Sequence, residues 1–138
     1  MKLYSYGKTI LKNDLFYIKV FMDNDNKANK SNIVITHGLK PSDTLSTLFI
    51  MNIIKKLESN QDSFVDYLLE NHNIYFFVFI NTDGILLGNS VSNIAGSNLY
   101  EVNKNNRFIQ KETYCFLKQL NKIPNILLLL NCSVDLGS

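Results

Sequence analysis

The sequence predicts one α/β domain, with a mixed, largely parallel sheet flanked by helices. Three observations support this fold class: short apolar segments alternate with segments of helical periodicity, strands and helices interleave along the chain, and the hydrophobic fraction of 46% is enough for a core. Because strands that are separated by helices favour parallel pairing, much of the sheet should be parallel. The length of 138 residues predicts a single domain over residues 1–138.

The strands are predicted from apolar runs that are rich in aromatic or β-branched side chains. Residues 15–21 form the first such run, residues 32–36 are short and apolar, and residues 74–80 form the strongest strand of the chain. The last strand covers residues 125–131. Its uninterrupted aliphatic segment, residues 126–130, predicts a buried strand, whereas residues 32–36 are typical of strands buried on both faces.

Three helices are predicted between these strands. The first begins at about Asp43, because that side chain or Ser42 can cap it. The second covers residues 63–71 and the third covers residues 108–121. Apolar side chains recur at spacings of three and four in the first helix, which predicts a broad buried face made of Leu45, Leu48, Phe49, Ile50, Ile53, Ile54 and Leu57. In the second helix, the predicted apolar side consists of Phe64, Tyr67 and Leu68.

Composition argues against several classes of protein. The net charge of +2 is close to neutral, which disfavours a nucleic-acid partner. No apolar run reaches the roughly 18–20 residues of a membrane span, so no membrane partner is predicted. The two cysteines are too few for a disulfide framework, and no signal-peptide pattern opens the chain. We therefore expect a cytoplasmic protein.

The candidate site lies where the predicted strands end. In open α/β sheets, ligands bind beyond the carboxyl ends of the strands. The turn at residues 37–43, the turn at residues 81–84 and the tail at residues 131–138 follow the three relevant strands. We expect these three segments to converge. The long stretch from residue 85 to residue 106 lacks periodicity and is predicted to be a loop.

Three linked motifs carry a resemblance to a known family. Residues 34–44, Val-Ile-Thr-His-Gly-Leu-Lys-Pro-Ser-Asp-Thr, resemble the strand and metal-binding turn, His-Pro-Gly-Glu-Thr, of the zinc carboxypeptidases. Residues 77–89 are similar to that family's strand into Asn-Pro-Asp-Gly-Val and Gly-Asn, and residues 94–101 to Leu-Ala-Gly and Asp-Leu-Asn-Arg. The Gly-Asn and Leu-Ala-Gly segments resemble the cytosolic carboxypeptidases, which trim glutamates from tubulin tails. The resemblance implies the N-terminal half of the family's fold.

The resemblance also implies where zinc ligands would fall. The family holds zinc with a His and a Glu from the first turn and a second His after a later strand. These positions fall on Lys40, Asp43 and about Ser133. A lysine ammonium has no lone pair to donate, and a serine hydroxyl is a poor zinc ligand. His37 is the alternative donor, three residues before Lys40.

The substrate-binding positions are altered as well. The family grips a C-terminal carboxylate with an Asn-Arg pair and polarises the scissile carbonyl with a second Arg. By resemblance, these positions fall on Tyr100, Glu101 and Val91. Glu101 reverses the charge and would repel a carboxylate. The family's general-base glutamate comes from the half that this sequence does not match, so no catalytic residue is assigned.

These substitutions lead to three hypotheses. The first is a degenerate, catalytically inactive carboxypeptidase-like domain that serves as a binding or structural module, with an unidentified protein partner and no cofactor. The alternative is an active zinc metallocarboxypeptidase that removes C-terminal glutamate residues and holds zinc through His37 and Asp43. The third is a purely structural subunit of a larger assembly.

Overall fold

The computed structural model describes residues 1–23, 30–59, 62–89, 92–97, 99 and 110–134. Within these residues, a mixed five-stranded sheet carries helices on both faces, which confirms the predicted fold class. None of the helices in this part of the chain is long and apolar enough to cross a membrane. The elements are β1 (Lys2–Lys8), β2 (Asp14–Val20), β3 (Ser31–Thr36), α1 (Thr44–Ser59), α2 (Ser63–Asn71), β4 (His72–Phe77), α3 (Thr82–Leu86), α4 (Lys111–Leu120) and β5 (Ile126–Asn131).

The strand order places three carboxyl ends side by side. The order across the sheet is β1-β2-β4-β3-β5. Strand β3 lies parallel to both β4 and β5, whereas β2 is antiparallel to both β1 and β4. Strands β3, β4 and β5 therefore end at the same edge of the sheet, where ligands bind in open α/β folds.

Strand β1 lies outside the predicted strands. The segment Lys2–Lys8 contains two tyrosines, which favour strands, but also two lysines, a serine and a glycine and no β-branched residue, so its local signal is weak. Pairing with β2 decides its conformation, with a register shift between Ser5 and Gly7. A side chain at Gly7 would place its Cβ 2.7 Å from the Cys115 sulfur of α4. Glycine is thus required for α4 to pack against this strand.

The two faces of the sheet are covered by different helices. Alternate residues of β4 point to opposite faces, with Ile74 and Phe76 packed in the core beneath α1 and α2. Tyr75 and Phe77 belong to the core on the other face, against which Phe116 of α4 packs. Burying one side chain of this size stabilises the fold by about 1.5–3 kcal/mol. These two cores hold the strand ends in place.

The predicted helical faces are correct only in part. In α1, Ile50, Ile54 and Leu57 are buried as predicted. Three other predicted core residues of this helix are more than half exposed, namely Leu45, Leu48 and Phe49. In α2, the prediction of Phe64 and Tyr67 is wrong, because the helix buries Val65 and Leu69 instead. The apolar residues surround both helices, so the spacing alone does not select the buried side.

Strand β5 is exposed, contrary to the prediction. All its residues are exposed, and Leu127 reaches 63%. Among the described residues, β5 pairs with β3 alone and forms the edge of the sheet. An aliphatic run is buried on both faces only when layers cover it on either side, and the described residues supply none over β5.

A short helix occupies the predicted turn after β4. Asn81 caps α3, because its side-chain oxygen accepts the Gly84 N–H at 3.2 Å. The prediction of a loop from residue 85 onwards is therefore wrong for the last residues of α3. Residues 92–97 form a turn, and residues 101–109 lie outside the described part of the chain. Helix α4 is shorter than predicted at its C-terminal end, where it finishes at Leu120.

Candidate functional site

The three segments that follow β3, β4 and β5 converge, as predicted. The carbonyl of His37 accepts the Ile80 N–H at 3.3 Å, and the carbonyl of Gly38 accepts the Asn81 N–H at 2.8 Å. From the other side, the His37 Nδ1–H donates to the carbonyl of Cys132 at 2.9 Å. These bonds join all three strand ends directly.

The first turn depends on a glycine. Gly38 has a φ of +79°, a conformation that side chains rarely adopt. A Cβ at this position would lie 2.7 Å from both the backbone nitrogen and the Cα of Phe79. Phe79 itself has a φ of +60°. The chain segments after β3 and β4 approach so closely that one of them must lack a side chain.

Asp43, at the position of the family's glutamate ligand, caps α1. One carboxylate oxygen accepts the Ser46 N–H at 3.0 Å, and the other accepts the Val134 N–H at 2.8 Å. Burial alone would raise the pKa of this carboxyl group. The hydrogen bonds from Val134 and Ser46, with the nearby His37, outweigh burial and lower the pKa below its ordinary value. Both oxygens thus have partners within the chain.

His37, the alternative zinc donor, is buried and has a partner at each ring nitrogen. Its exposed fraction is 1%. Besides the bond from Nδ1 to Cys132, its Nε2 lies 2.7 Å from the hydroxyl oxygen of Thr47. The same hydroxyl oxygen lies 2.9 Å from the carbonyl oxygen of Asp43, so Nε2 and this carbonyl share its one proton. The ring therefore links the ends of β3 and β5 to the first turn of α1, and neither nitrogen is directed at an open position.

A cavity of about 420 Å³ lies beside the first turn of α1. Its walls include Lys40, Asp43 and Val134, together with the hydroxyl-bearing Ser42 and Thr44. The adjacent Ser133, at the position of the family's second histidine, is exposed after the end of β5. The structure therefore brings the three predicted ligand positions to one region of the molecule.

The positions that would bind substrate are Val91, Tyr100 and Glu101. All three lie outside the described residues. The loss of the family's substrate-binding side chains at these positions therefore stays a prediction.

Asp83, within the residues 77–89 that resemble the family's second motif, forms a well-connected carboxylate near the site. It is fully buried. Its oxygens accept the Leu11 N–H at 3.0 Å and the Asn13 amide at 2.9 Å. Burial would raise the pKa of Asp83, but these bonds and one from Thr9 lower it below its ordinary value. The carboxylate fastens the β1–β2 turn to α3.

Asn81 fastens the turn at residues 37–43 to the start of α3. It is fully buried, and its side-chain amide donates to the carbonyl of Leu39 at 3.2 Å. Sequence reasoning identifies Asn81 and Asp83 from the resemblance, but not the partners of Asp83. Asn13 and Thr9 are separated from Asp83 by 70 residues or more and carry no motif of their own.

The residues at the family's ligand positions do not fit the zinc that the resemblance implies. A family-type site needs three neutral or anionic donors around an open coordination position. Lys40 brings a cation, Ser133 brings a hydroxyl, and the carboxylate of Asp43 already accepts two N–H groups. Within the described part of the chain, no group of three or more His, Cys, Asp or Glu side chains is placed to hold a metal ion.

The sequence model of the zinc carboxypeptidase family matches residues 1–122, which include Lys40, Asp43 and the Asn81–Gly84 turn. The chain belongs to this family. The predicted family is therefore confirmed at this level. The assignment to the cytosolic, tubulin-deglutamylating type stays a prediction, as does the loss of activity.

Solved carboxypeptidases share the fold of this family member. A metallo-carboxypeptidase from Burkholderia cenocepacia superposes with a TM-score of 0.84 at 18% identity, covering 97% of this chain and 36% of its own. A metallo-carboxypeptidase from Pseudomonas aeruginosa, in complex with (2-guanidinoethylmercapto)succinic acid, gives 0.79 at 20% identity, covering 94% and 34%. Carboxypeptidase A from Helicoverpa armigera gives 0.66 at 14% identity, covering 99% and 41%.

These similarities establish the fold of this chain, and they extend over only part of each solved structure. The chain spans between about a third and two fifths of the length of these solved structures. A comparison with curated proteins finds no significant match. The activity of the full-length carboxypeptidases is therefore not carried over to this chain directly.

Proposed function

We propose that this carboxypeptidase-family domain is a catalytically inactive pseudoenzyme that binds a protein partner in the cytoplasm. The observation that carries the proposal is the position of Asp43. Both oxygens of its carboxylate accept N–H groups of this chain, one from Ser46 and one from Val134. The group that should be a zinc ligand instead joins the start of α1 to the segment after β5.

Lys40 supports the same conclusion through its charge. An ammonium at the first ligand position repels a divalent cation, and a protonated lysine offers no lone pair. His37 does not replace it in this arrangement, because its two ring nitrogens already contact Cys132 and Thr47. A zinc site formed by His37 and Asp43 would require both contacts of the His37 ring and both hydrogen bonds of the Asp43 carboxylate to break.

The chemistry of the cavity favours an acidic protein tail as the partner. Lys40 supplies a positive charge, and Ser42 and Thr44 supply hydroxyl groups along the wall. The first turn of α1 contains no acidic residue, so the positive end of the helix dipole adds to the attraction. Asp43, in the same wall, keeps its negative charge, but its carboxylate is turned to the N–H groups of Ser46 and Val134. The resemblance to the cytosolic carboxypeptidases agrees with glutamate-rich tails as ligands.

Metal content tests the inactive state. The chain would be purified without chelators, loaded with zinc, freed of excess metal and analysed by atomic emission. We expect no stoichiometric zinc in the natural chain. The variant Lys40→His/Asp43→Glu/Ser133→His restores the family's donors and should retain zinc if the shell is preserved. One zinc ion per natural chain, with release of glutamate from glutamate-ended peptides, would establish the zinc carboxypeptidase alternative instead.

Peptide binding tests the partner class. A labelled peptide ending in several glutamates should bind in fluorescence anisotropy, and binding should weaken as salt concentration rises. Lys40→Glu should abolish the signal, whereas Lys55→Glu, on the exposed surface of α1, serves as the matched control. Equal effects of the two substitutions would show non-specific attraction to a basic surface and would refute the assigned cavity.

A further inference from the structure

A second cavity lies away from the family site, on the face of the sheet that carries α1. Its volume is about 530 Å³, within the roughly 300–1,000 Å³ typical of small-molecule sites. Ile18 of β2 and Val78 after β4 line it, together with Met51 of α1 and Ile85 of α3. It shares no lining residue with the cavity beside Lys40. It is therefore a separate site that the zinc carboxypeptidase chemistry does not use.

The polar side chains in its wall already have partners. The amide of Asn13 donates to Asp83, and the hydroxyl of Thr82 donates to the carbonyl of Phe79 at 2.6 Å. The carboxylate of Asp14 accepts from Lys8 and from a serine hydroxyl. Asp14 is the one charged residue among those that line the cavity, and its side chain is 40% exposed and paired with Lys8. The rest of the wall offers a ligand no charge. Recognition must come from apolar contact and shape.

The floor of the cavity is held in a fixed shape. Phe79, which lines it, has a φ of +60°, a conformation that costs a non-glycine residue roughly 1–2 kcal/mol. The neighbouring Ile80 N–H donates to the carbonyl of His37, and Gly38 packs against the Phe79 backbone. Strained residues of this kind concentrate at ligand sites. The phenylalanine is therefore positioned before any ligand arrives.

The rim of the cavity consists of exposed apolar side chains. Leu3, Phe16, Met51 and Leu86 are between 41% and 66% exposed. Methionine adapts to irregular apolar shapes more readily than branched residues do. A bound apolar molecule would bury these four side chains, which gives the binding its driving force.

We propose that this cavity binds an uncharged, apolar small molecule with an aromatic or aliphatic body. An anionic head group would lose hydration and face the carboxylate of Asp14, and a cationic one would compete with Lys8 for a carboxylate that is already exposed to water. The volume suits one compact molecule. The proposal does not depend on the proposed pseudoenzyme function, since it involves none of the family's ligand positions.

The test uses N-phenyl-1-naphthylamine, an uncharged probe whose fluorescence rises in apolar surroundings. We expect saturable binding of one probe per chain, with shifts in the methyl resonances of Leu3, Ile18 and Ile85. Met51→Glu should weaken binding roughly tenfold or more, because it introduces a carboxylate into an apolar wall. Leu48→Glu is the matched control, on the same helix and 57% exposed, but outside the cavity wall.

Three results would overturn the proposal. The first is an absence of saturable binding by a chain whose circular dichroism shows it to be folded. The second is equal weakening by Met51→Glu and Leu48→Glu, which would indicate a general apolar surface. The third is a dimer, seen by sedimentation, that Met51→Glu dissociates. In that case the cavity is an interface between copies of the chain and not a small-molecule site.

Discussion

Replacing Asp83 with asparagine tests how the fold around the site is held. The substitution keeps the shape of the side chain but changes one carboxylate oxygen into an NH₂ donor. In the structure, both oxygens accept, one from the Leu11 N–H and the other from the Asn13 amide. If the new NH₂ faces the Leu11 N–H, a donor faces a donor in a fully buried position. If it faces position 13, the Asn13 amide must flip to present its oxygen, and in both cases the bonds lose the charge of the carboxylate.

The expected loss of stability follows from these contacts. A hydrogen bond to a charged group contributes about 1.5–3 kcal/mol, against about 0.5–1.5 kcal/mol for a neutral one. The bonds from Leu11, Asn13 and Thr9 all lose this charge assistance. We expect Asp83→Asn to lower the free energy of unfolding by about 3 kcal/mol, which corresponds to a decrease of about 10 °C in Tm for a domain of this size. This is a large share of the ~5–15 kcal/mol that stabilises most domains.

The assay is urea unfolding followed by circular dichroism, with a compensating variant as control. In Asn13→Asp/Asp83→Asn, the new carboxylate at position 13 can accept from the new amide at position 83, whose oxygen still accepts the Leu11 N–H. The double variant should be more stable than the sum of the single variants by about 1–2 kcal/mol. A cost below about 0.5 kcal/mol for Asp83→Asn, or no coupling, would refute the reasoning.

Two further predictions concern acid stability and the exposed strand. The pKa values of Asp43 and Asp83 lie below 3.8 in the folded chain, so their stabilisation is complete above that pH and is lost as pH falls through the folded values. The urea midpoint should therefore fall in acid, and more shallowly in Asp83→Asn; parallel pH profiles would contradict this. Leu129→Lys, on the exposed edge strand β5, should reduce concentration-dependent light scattering without changing stability, because edge charges block strand pairing. Unchanged light scattering would show that the chain does not self-associate through β5.

The sequence predicts the elements whose signal is local. β3 and β4 are found from apolar runs, and the start of α1 is found from Asp43, whose carboxylate does cap it. The convergence of the three turns also follows from the sequence, since parallel strands bring their carboxyl ends together. The resemblance to the zinc carboxypeptidases adds the family, which the match over residues 1–122 confirms.

The errors arise where burial depends on neighbours distant in sequence. An aliphatic run such as β5 indicates a strand but does not say which layers cover it, and here it is an exposed edge. Likewise, α2 has apolar residues on two sides, and packing against β4 selects Val65 and Leu69. Strand β1 has only a weak local signal, carried by its two tyrosines, and pairing with β2 decides its conformation.

The candidate site divides in the same way. Residue types alone determine that Lys40 and Ser133 are poor zinc donors, because ligand chemistry depends on the side chain and not on the fold. Only the tertiary structure shows that Asp43 accepts the Val134 N–H and that both nitrogens of His37 have partners. Val134 is 91 residues from Asp43, and Cys132 is 95 residues from His37. Hydrogen bonds over such separations depend on how the strands and helices pack, which the local sequence does not encode.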